Sequence, residues 1–316
     1  METPATLLEA VAYFSDPDRA HEYATAMRFP NGVACPRYDC GSAAVRFVKT
    51  RRLWLCKDCG RQFTAKVGTI FEDSPIPFTK WLPAIWLLSS NKNGISSYEL
   101  ARALKVTQRT AWFILHRIRL ALKDDEAIQF SGEVESDETY VGGKLRHKRR
   151  YHAHIPSGIK RMGTVGKTPI LGILQRGKDG KRSKVRGWVL PNARKKTMLP
   201  KLYETVEHGS HLFTDNANHY ARLHEDYVHS VVNHAREYVS RDGAHVNNIE
   251  SFWAVLKRTL GGTYIAPRPK HLERYLDEQI FRFNNREDRD GVRFNKALKA
   301  TDGKRLTFKT LVNQGS

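Results

Sequence analysis

The stretch Val134-Glu135-Ser136-Asp137-Glu138-Thr139-Tyr140 sets the tightest limit on what this chain can fold into. It reads as a strand of alternating character, yet it carries three carboxylates in four positions. In a chain with 53 Lys+Arg against 33 Asp+Glu, acids gathered on one strand repel each other unless a cation shares the site. Two further acids are placed to join them. Asp215 follows the short apolar run His211-Leu212-Phe213-Thr214, and Glu250 opens the amphipathic helix begun by Asn248-Ile249. Carboxylates from separate elements suit hard divalent ions such as Mg²⁺ or Mn²⁺, which take oxygen ligands and retain waters. Two such ions about 3.5–4 Å apart can clamp both oxygens of a phosphoryl transfer.

The pattern around these acids predicts how they meet. Strands are expected at 133–140, 168–174 and 184–190, then a helix over 195–207 and a strand over 210–214. A short helix near Tyr220, a strand over 227–232 and a helix over 246–260 complete the order. Gly261-Gly262 is expected to end that helix, and a further helix is expected over 271–283. This succession is that of an α/β domain of the RNase H-like kind. The fold places Asp137 on its first strand, Asp215 after its fourth and Glu250 on a late helix. Lys257 lies two helical turns beyond Glu250 on the same face, with Arg258 beside it, and both are candidate DNA contacts. From 140 to 177 there is no acid, and the basic run including Lys148, Arg149 and Arg150 is expected to grip phosphates.

All four cysteines fall in the first 60 residues, as Cys35 and Cys40 and then Cys56 and Cys59. A predicted hairpin from Val45–Val48 and Arg52–Leu55 joins the two pairs, the pattern of a zinc ribbon with four thiolates on a structural Zn²⁺. The first pair has a four-residue gap, wider than the usual two, which leaves the ribbon's geometry as the point to test. One or two short helices are expected before it. After it, residues 76–123 read as helical. Tyr98–Leu104, the turn Lys105-Val106-Thr107 and Gln108–Leu122 form a helix-turn-helix pattern. Ala111, Trp112, Leu115, Ile118 and Leu122 are expected to face inward, and Gln108, Arg109 and Thr110 to face a major groove.

The formal net charge of +20 over 316 residues points to a polyanionic partner, nucleic acid ahead of membrane. No apolar run reaches the ~18 residues of a membrane span, and Met1-Glu2-Thr3-Pro4 lacks a signal peptide's basic flank, so a cytoplasmic, nucleoid-associated protein is expected. The expected partition is a helical lead at 1–30, a zinc ribbon at 31–72, and a helix-turn-helix region at 73–125. An RNase H-like domain at 126–286 and a weakly patterned tail at 287–316 follow.

The ordered motifs resemble those of bacterial insertion-sequence transposases of the DDE type, in the ISXO-like group that carries a zinc ribbon. The resemblance rests on Val67-Gly68-Thr69-Ile70-Phe71, Leu100-Ala101 through Thr110-Ala111-Trp112, Glu135–Lys144, Thr214-Asp215, His245–Trp253 with Leu256-Lys257-Arg258, and Arg282-Phe283-Asn284 with Arg286. It implies Asp137, Asp215 and Glu250 as the acidic triad, with Asp215 and Glu250 separated by 35 positions (250 − 215). Some relatives place Asn at the third position, which makes Asn247 or Asn248 the fallback. The implied chemistry is cleavage and strand transfer at the terminal inverted repeats of an element. Asp137 would bridge two ions, and Asp215 and Glu250 would each hold one. Double-stranded DNA would be the substrate, and a dimer or larger synaptic complex would bring two ends together. Glu135 and Glu138 are expected to be solvated or loop-orienting. Rival readings are a DNA-binding regulator derived from a decayed transposase, and an RNase H-like nuclease acting on hybrids.

Overall fold

Helix starts follow the capping chemistry of the sequence. Thr6 accepts the Glu9 amide and opens α1 (Leu7–Phe14), while Asp16 accepts the Asp18 and Arg19 amides and opens α2 (Pro17–Arg28). The structure, a computed structural model, describes residues 3–123, 129–142, 164, 166–178, 180, 182–215, 220, 223–232, 245–265 and 267–313. The expected phosphate-gripping residues Lys148, Arg149 and Arg150 lie outside the described residues. The chain divides into two units, residues 1–123 with 285–316, and residues 124–284.

In the first unit, β1 (Val45–Val48), β2 (Leu53–Cys56) and β3 (Gln62–Phe63) form an antiparallel sheet in that order. Arg52, in the left-handed conformation at φ 46°, turns the chain between the first two strands. Three helices follow, α3 (Phe78–Ser90), α4 (Ser97–Leu104) and α5 (Gln108–Ala121). A capping box between Ser96 and Glu99 starts α4. Lys105, at φ 49°, ends it in the left-handed conformation, and Thr107 caps α5 two residues later. Helix α5 is buried more completely than an amphipathic surface helix, since residues 114–119 are all buried, including His116, Arg117 and Arg119. Trp112, expected inward, is half-buried, and its ring meets His116 at 4.4 Å.

The second unit is built on a five-stranded sheet. It comprises β4 (Glu133–Val141), β5 (Thr168–Gln175), β6 (Lys184–Val189), β7 (His211–Asp215) and β8 (Val228–Val232), in the order β6-β5-β4-β7-β8. Strand β4 is central, antiparallel to β5 and parallel to β7. Helix α6 (Lys195–Thr205) covers one face, packing Met198 and Leu202 against Val134, Leu171, Ile173 and Leu212. Helices α7 (Asn247–Gly262) and α8 (Leu272–Asn284) cover the other, packing Ile249, Phe252, Trp253 and Leu276 against Ile170, Leu174 and Phe213. Helix α7 ends at Gly262, within the Gly261-Gly262 pair expected to stop it, with Thr263 as its cap. The Thr263 amide bonds back to the Thr259 carbonyl, and Thr263 keeps right-handed helical angles.

Residues 285–316 add α9 (Asp290–Lys299) and α10 (Phe308–Asn313) to the first unit. Phe294 packs its ring 5.4 Å from Phe14, 6.0 Å from Tyr23 and 5.2 Å from Trp86. The Thr301 carbonyl accepts the Ile70 amide at 3.1 Å, and Asp302 pairs with Arg28 at 3.0 Å. Buried Arg117 of α5 donates to the carbonyls of Leu306, Ile70 and Glu72 at 3.0, 2.8 and 2.9 Å, joining three separate segments. Among the described residues no helix is long and apolar enough to cross a membrane.

Candidate active site

Side chains alternate across a strand, so the acids of β4 are divided between its two faces. Val134 packs on the α6 side, which assigns Ser136 and Glu138 to that side and Glu135 and Asp137 to the α7 side. On the α6 side, buried Tyr220 lies with its hydroxyl 3.3 Å from the Ser136 hydroxyl and donates to the Glu138 carboxylate at 3.2 Å. Burial, then the negative charge of Glu138, pushes the Tyr220 phenol well above its usual range.

The parallel β4–β7 ladder ends at the pair Ser136–Thr214, so Asp137 and Asp215 each lie one residue past its last pair, near enough for the charge of Asp215 to act on Asp137. Trp253 of α7 donates its indole N–H to Asp137 Oδ2 at 2.9 Å. Burial, then the charges of Glu138 and Asp215, pushes the Asp137 carboxyl up to about 7 against the pull of the Trp253 hydrogen bond. Gly172, opposite Asp137 on β5, makes room for the indole. A Cβ there would lie 2.5 Å from Trp253 Cζ2 and 2.6 Å from Cη2.

Glu250 lies in the first turn of α7, exposed, three residues before Trp253. It therefore sits on the helix that touches Asp137. Lys257 and Arg258 are exposed on the same helix. Among the described residues, the only group of three or more Cys, His, Asp or Glu side chains whose ligand atoms all lie within 4.8 Å of one another is the four cysteines. The structure thus brings Asp137 and Asp215 together and leaves Glu250 outside any such single-ion cluster with them. The donor set fits a divalent cation all the same: two adjacent carboxylates, one of them with its charge resisted by its neighbours, need positive charge between them.

Of the two roles expected for Glu135, solvated or loop-orienting, the first does not hold. Glu135 is fully buried, its Oε1 accepting from Arg176 Nε and Asn248 Nδ2, both at 2.7 Å, and its Oε2 accepting the Ile249 amide at 3.0 Å. Asn248 is therefore engaged with Glu135, while Asn247 is exposed on the first turn of α7. Sequence reasoning missed Trp253, Gly172 and Arg176. The available signal was sheet parity, with Glu135 and Asp137 two apart on one face, and a glycine interrupting the apolar run of β5.

The cysteines close into one cluster despite the wide first pair. Sγ atoms lie 3.9 Å apart for Cys35 and Cys59 and 3.6 Å apart for Cys40 and Cys56, and none is in a disulfide. A tetrahedral zinc with Zn–S near 2.3 Å has S···S edges of about 3.8 Å, so the donor set fits that ion. The amides of Cys59 and Asp58 hold the Cys56 thiol down to about 7.

The expected groove-facing residues of α5 are engaged within their own unit. Gln108 Nε2 donates to Ser97 Oγ at 2.8 Å, and the Thr110 and Thr107 hydroxyls are 2.8 Å apart. Arg109 stacks over the Phe308 ring at 4.5 Å but remains exposed. Of the three, Arg109 alone keeps an open face.

Two family models match the chain: an ISXO2-like transposase domain over residues 129–284, and a transposase zinc-ribbon domain over residues 15–62. The first coincides closely with the second structural unit. An uncharacterized protein in transposable element ISH50 of Halobacterium salinarum is 29% identical over 251 residues, spanning 77% of this chain and 82% of that protein. An uncharacterized transposase-like protein of Haemophilus influenzae is 32% identical over 118 residues, spanning 37% of this chain and 94% of that protein. With its cysteine cluster inside the zinc-ribbon match and Asp137 and Asp215 inside the transposase match, the chain belongs to the ISXO2-like transposase family.

Proposed function

We propose that the chain is a DDE-type transposase that cuts DNA at the ends of an insertion sequence and joins the freed ends to target DNA. The observation that carries this reading is the closeness of Asp137 and Asp215 at the end of the β4–β7 ladder, with Asp137 held by Trp253 from the helix that bears Glu250. A sheet of order β6-β5-β4-β7-β8, with one central acid and one on the neighbouring parallel strand, supports an RNase H-like fold.

Asp137, Asp215 and Glu250 would hold Mg²⁺ or Mn²⁺. When bound, these ions supply Lewis-acid activation of the attacking oxygen and neutralise charge on the leaving one. A pair of ions spreads its ligands wider than one coordination shell, so an outlying Glu250 is compatible with the triad. Trp253 donates to Oδ2 of Asp137, and the carboxylate is open to either a proton or a cation. Near neutral pH the two compete, because burial, then repulsion from Glu138 and Asp215, favours the protonated acid. Lys257 and Arg258, exposed on α7, are placed to meet phosphates beside the acids. The reaction is phosphodiester hydrolysis that frees a 3′-hydroxyl, then attack of that hydroxyl on target DNA with departure of the opposing 3′-oxygen.

The four cysteines would hold a structural Zn²⁺ that fixes the ribbon. The α4–α5 pair would recognise the inverted repeats, with Arg109 as its exposed cation, and two copies would act together on two ends. The test is Mg²⁺-dependent strand transfer with purified protein and labelled element-end DNA, comparing wild type with Glu250→Gln. Joined products that disappear in the variant support the reading. Binding without joining in Mg²⁺ and in Mn²⁺, by both proteins, would establish a DNA-binding regulator instead.

A further inference from the structure

Helix α7 is fastened to the central strand at two points. At the first, Glu135 receives the Ile249 amide and the Asn248 side chain; at the second, Asp137 receives the Trp253 indole. The spacings match. Residues 135 and 137 are about 6.6 Å apart along a strand, and residues 249 and 253 about 6 Å apart along a helix. Glu250 lies between the two points.

The first point has its own support. Arg176, from the end of β5, donates Nε to Glu135, Nη1 to Glu133 at 2.9 Å and Nη2 to the His245 carbonyl at 2.5 Å. Its guanidinium lies 3.9 Å over the Phe213 ring. His245 Nδ1 is 3.6 Å from Glu135 Oε1. Both oxygens of Glu135 are thus occupied by donors of the chain itself, although this acid sits two residues from Asp137 on the same face of the sheet.

We propose that Glu135, braced by Arg176, is a positioning residue that sets the start of α7 and thereby where Glu250 stands relative to Asp137, and that it is not a ligand of the catalytic ions. The inference rests on reading Asp137, Asp215 and Glu250 as the acidic triad. Removing the brace frees the first turn of α7, and Glu250 then reaches the ions less often. The cost falls on ion affinity more than on turnover at saturating ion.

The test uses the full chain with its zinc site loaded, Mn²⁺ as probe, and two readouts independent of catalysis. One is Mn²⁺ binding followed by the free-ion electron paramagnetic resonance signal. The other is hydrogen exchange at the Ile249 amide. Glu135→Ala is expected to expose that amide and to weaken Mn²⁺ binding by about 10-fold or more, the range typical of lost outer-sphere partners. Glu135→Gln keeps an acceptor and is expected to restore most of both. Asn248→Ala, which leaves the carboxylate in place, should move both readouts the same way by less. The proposal is overturned if Glu135→Gln abolishes a Mn²⁺ site while the Ile249 amide stays protected, since Glu135 would then be a ligand. It is equally overturned if Glu135→Ala changes neither readout. Glu250→Gln separates the two levels: if it leaves Mn²⁺ binding intact, the triad reading fails rather than the positioning role.

Discussion

Asp137 is held against its own charge, and removing that charge should stabilise the cation-free protein. The usual aspartate value of 3.8 is raised to about 7 in the fold by burial and by Glu138 and Asp215. Between those values the native state binds a proton that the unfolded chain has released. Stability from this group is therefore full below the unfolded value and falls as pH rises through the folded one. A rise of about 3 units corresponds to about 4 kcal/mol, and solvent at the partly exposed carboxylate reduces this to about 1–3 kcal/mol. Asp137→Asn cannot ionise and still offers an oxygen to the Trp253 indole. In zinc-loaded protein freed of Mg²⁺ and Mn²⁺, the variant should melt at a higher temperature than wild type at pH 8. For a unit of this size the gain is roughly 2–10 °C. At pH 5 the gap should shrink to about a third, because less of the titration remains between the states. Adding Mg²⁺ should raise the wild-type midpoint and leave the variant's nearly unchanged. A variant that melts at or below wild type at pH 8, or a gap that ignores pH, would refute the electrostatic argument.

Other substitutions test other parts of the molecule. Gly172→Ala forces a methyl against the Trp253 ring and should cost about 1–3 kcal/mol, with a quenched or shifted tryptophan signal and reduced strand cleavage; unchanged fluorescence and activity would rule out the slot. Zinc is held by thiolates, so protons compete with it for the four cysteines. Zinc measured by mass spectrometry after dialysis should therefore be retained at pH 8 and progressively lost below about pH 6. Phe294→Ala empties a fully buried site and should cost about 3–5 kcal/mol, lowering one calorimetric transition and not the other. Lys257→Ala should weaken binding to element-end DNA of any sequence and reduce the salt slope by about one unit.

Much of this architecture is legible from residue patterns, because strands and helices that bury one side must show it in their period. Strands β4 through β8 and helix α7 lie within a few residues of where alternation and helical spacing put them. Four cysteines separated by a hairpin were enough to foresee one cluster. What stayed hidden has specific causes. Helix α9 buries only Gly291, Phe294, Ala297 and Leu298 among charged residues, and so narrow a stripe does not announce a partner far away in sequence. Glu135 looked like one more acid in an acidic run. Its partners, Arg176 and the Ile249 amide, are 41 and 114 positions away, and burial by long-range contact leaves no local mark. Gln108 and Thr110 sit where a recognition helix offers its first residues, but their hydrogen bonds to Ser97 and Thr107 belong to the turn itself. The polarity of a position tells less than the identity of its neighbours.

That α9 belongs with residues 1–123 has a consequence for how the protein is made. Synthesis must pass from residue 123 to residue 285, 162 positions (285 − 123), before the segment that completes the first unit emerges. At roughly 5–20 residues per second this takes about 8–30 s. Throughout that interval the hollow formed by Phe14, Tyr23 and Trp86 waits without the ring of Phe294. The nascent ribbon and its neighbouring helices are thus a tethered, unsealed half, exposed to holdase chaperones and proteases. The second unit, contiguous in the chain, can close first. Of the two units, the one whose residues emerge first is the one completed last.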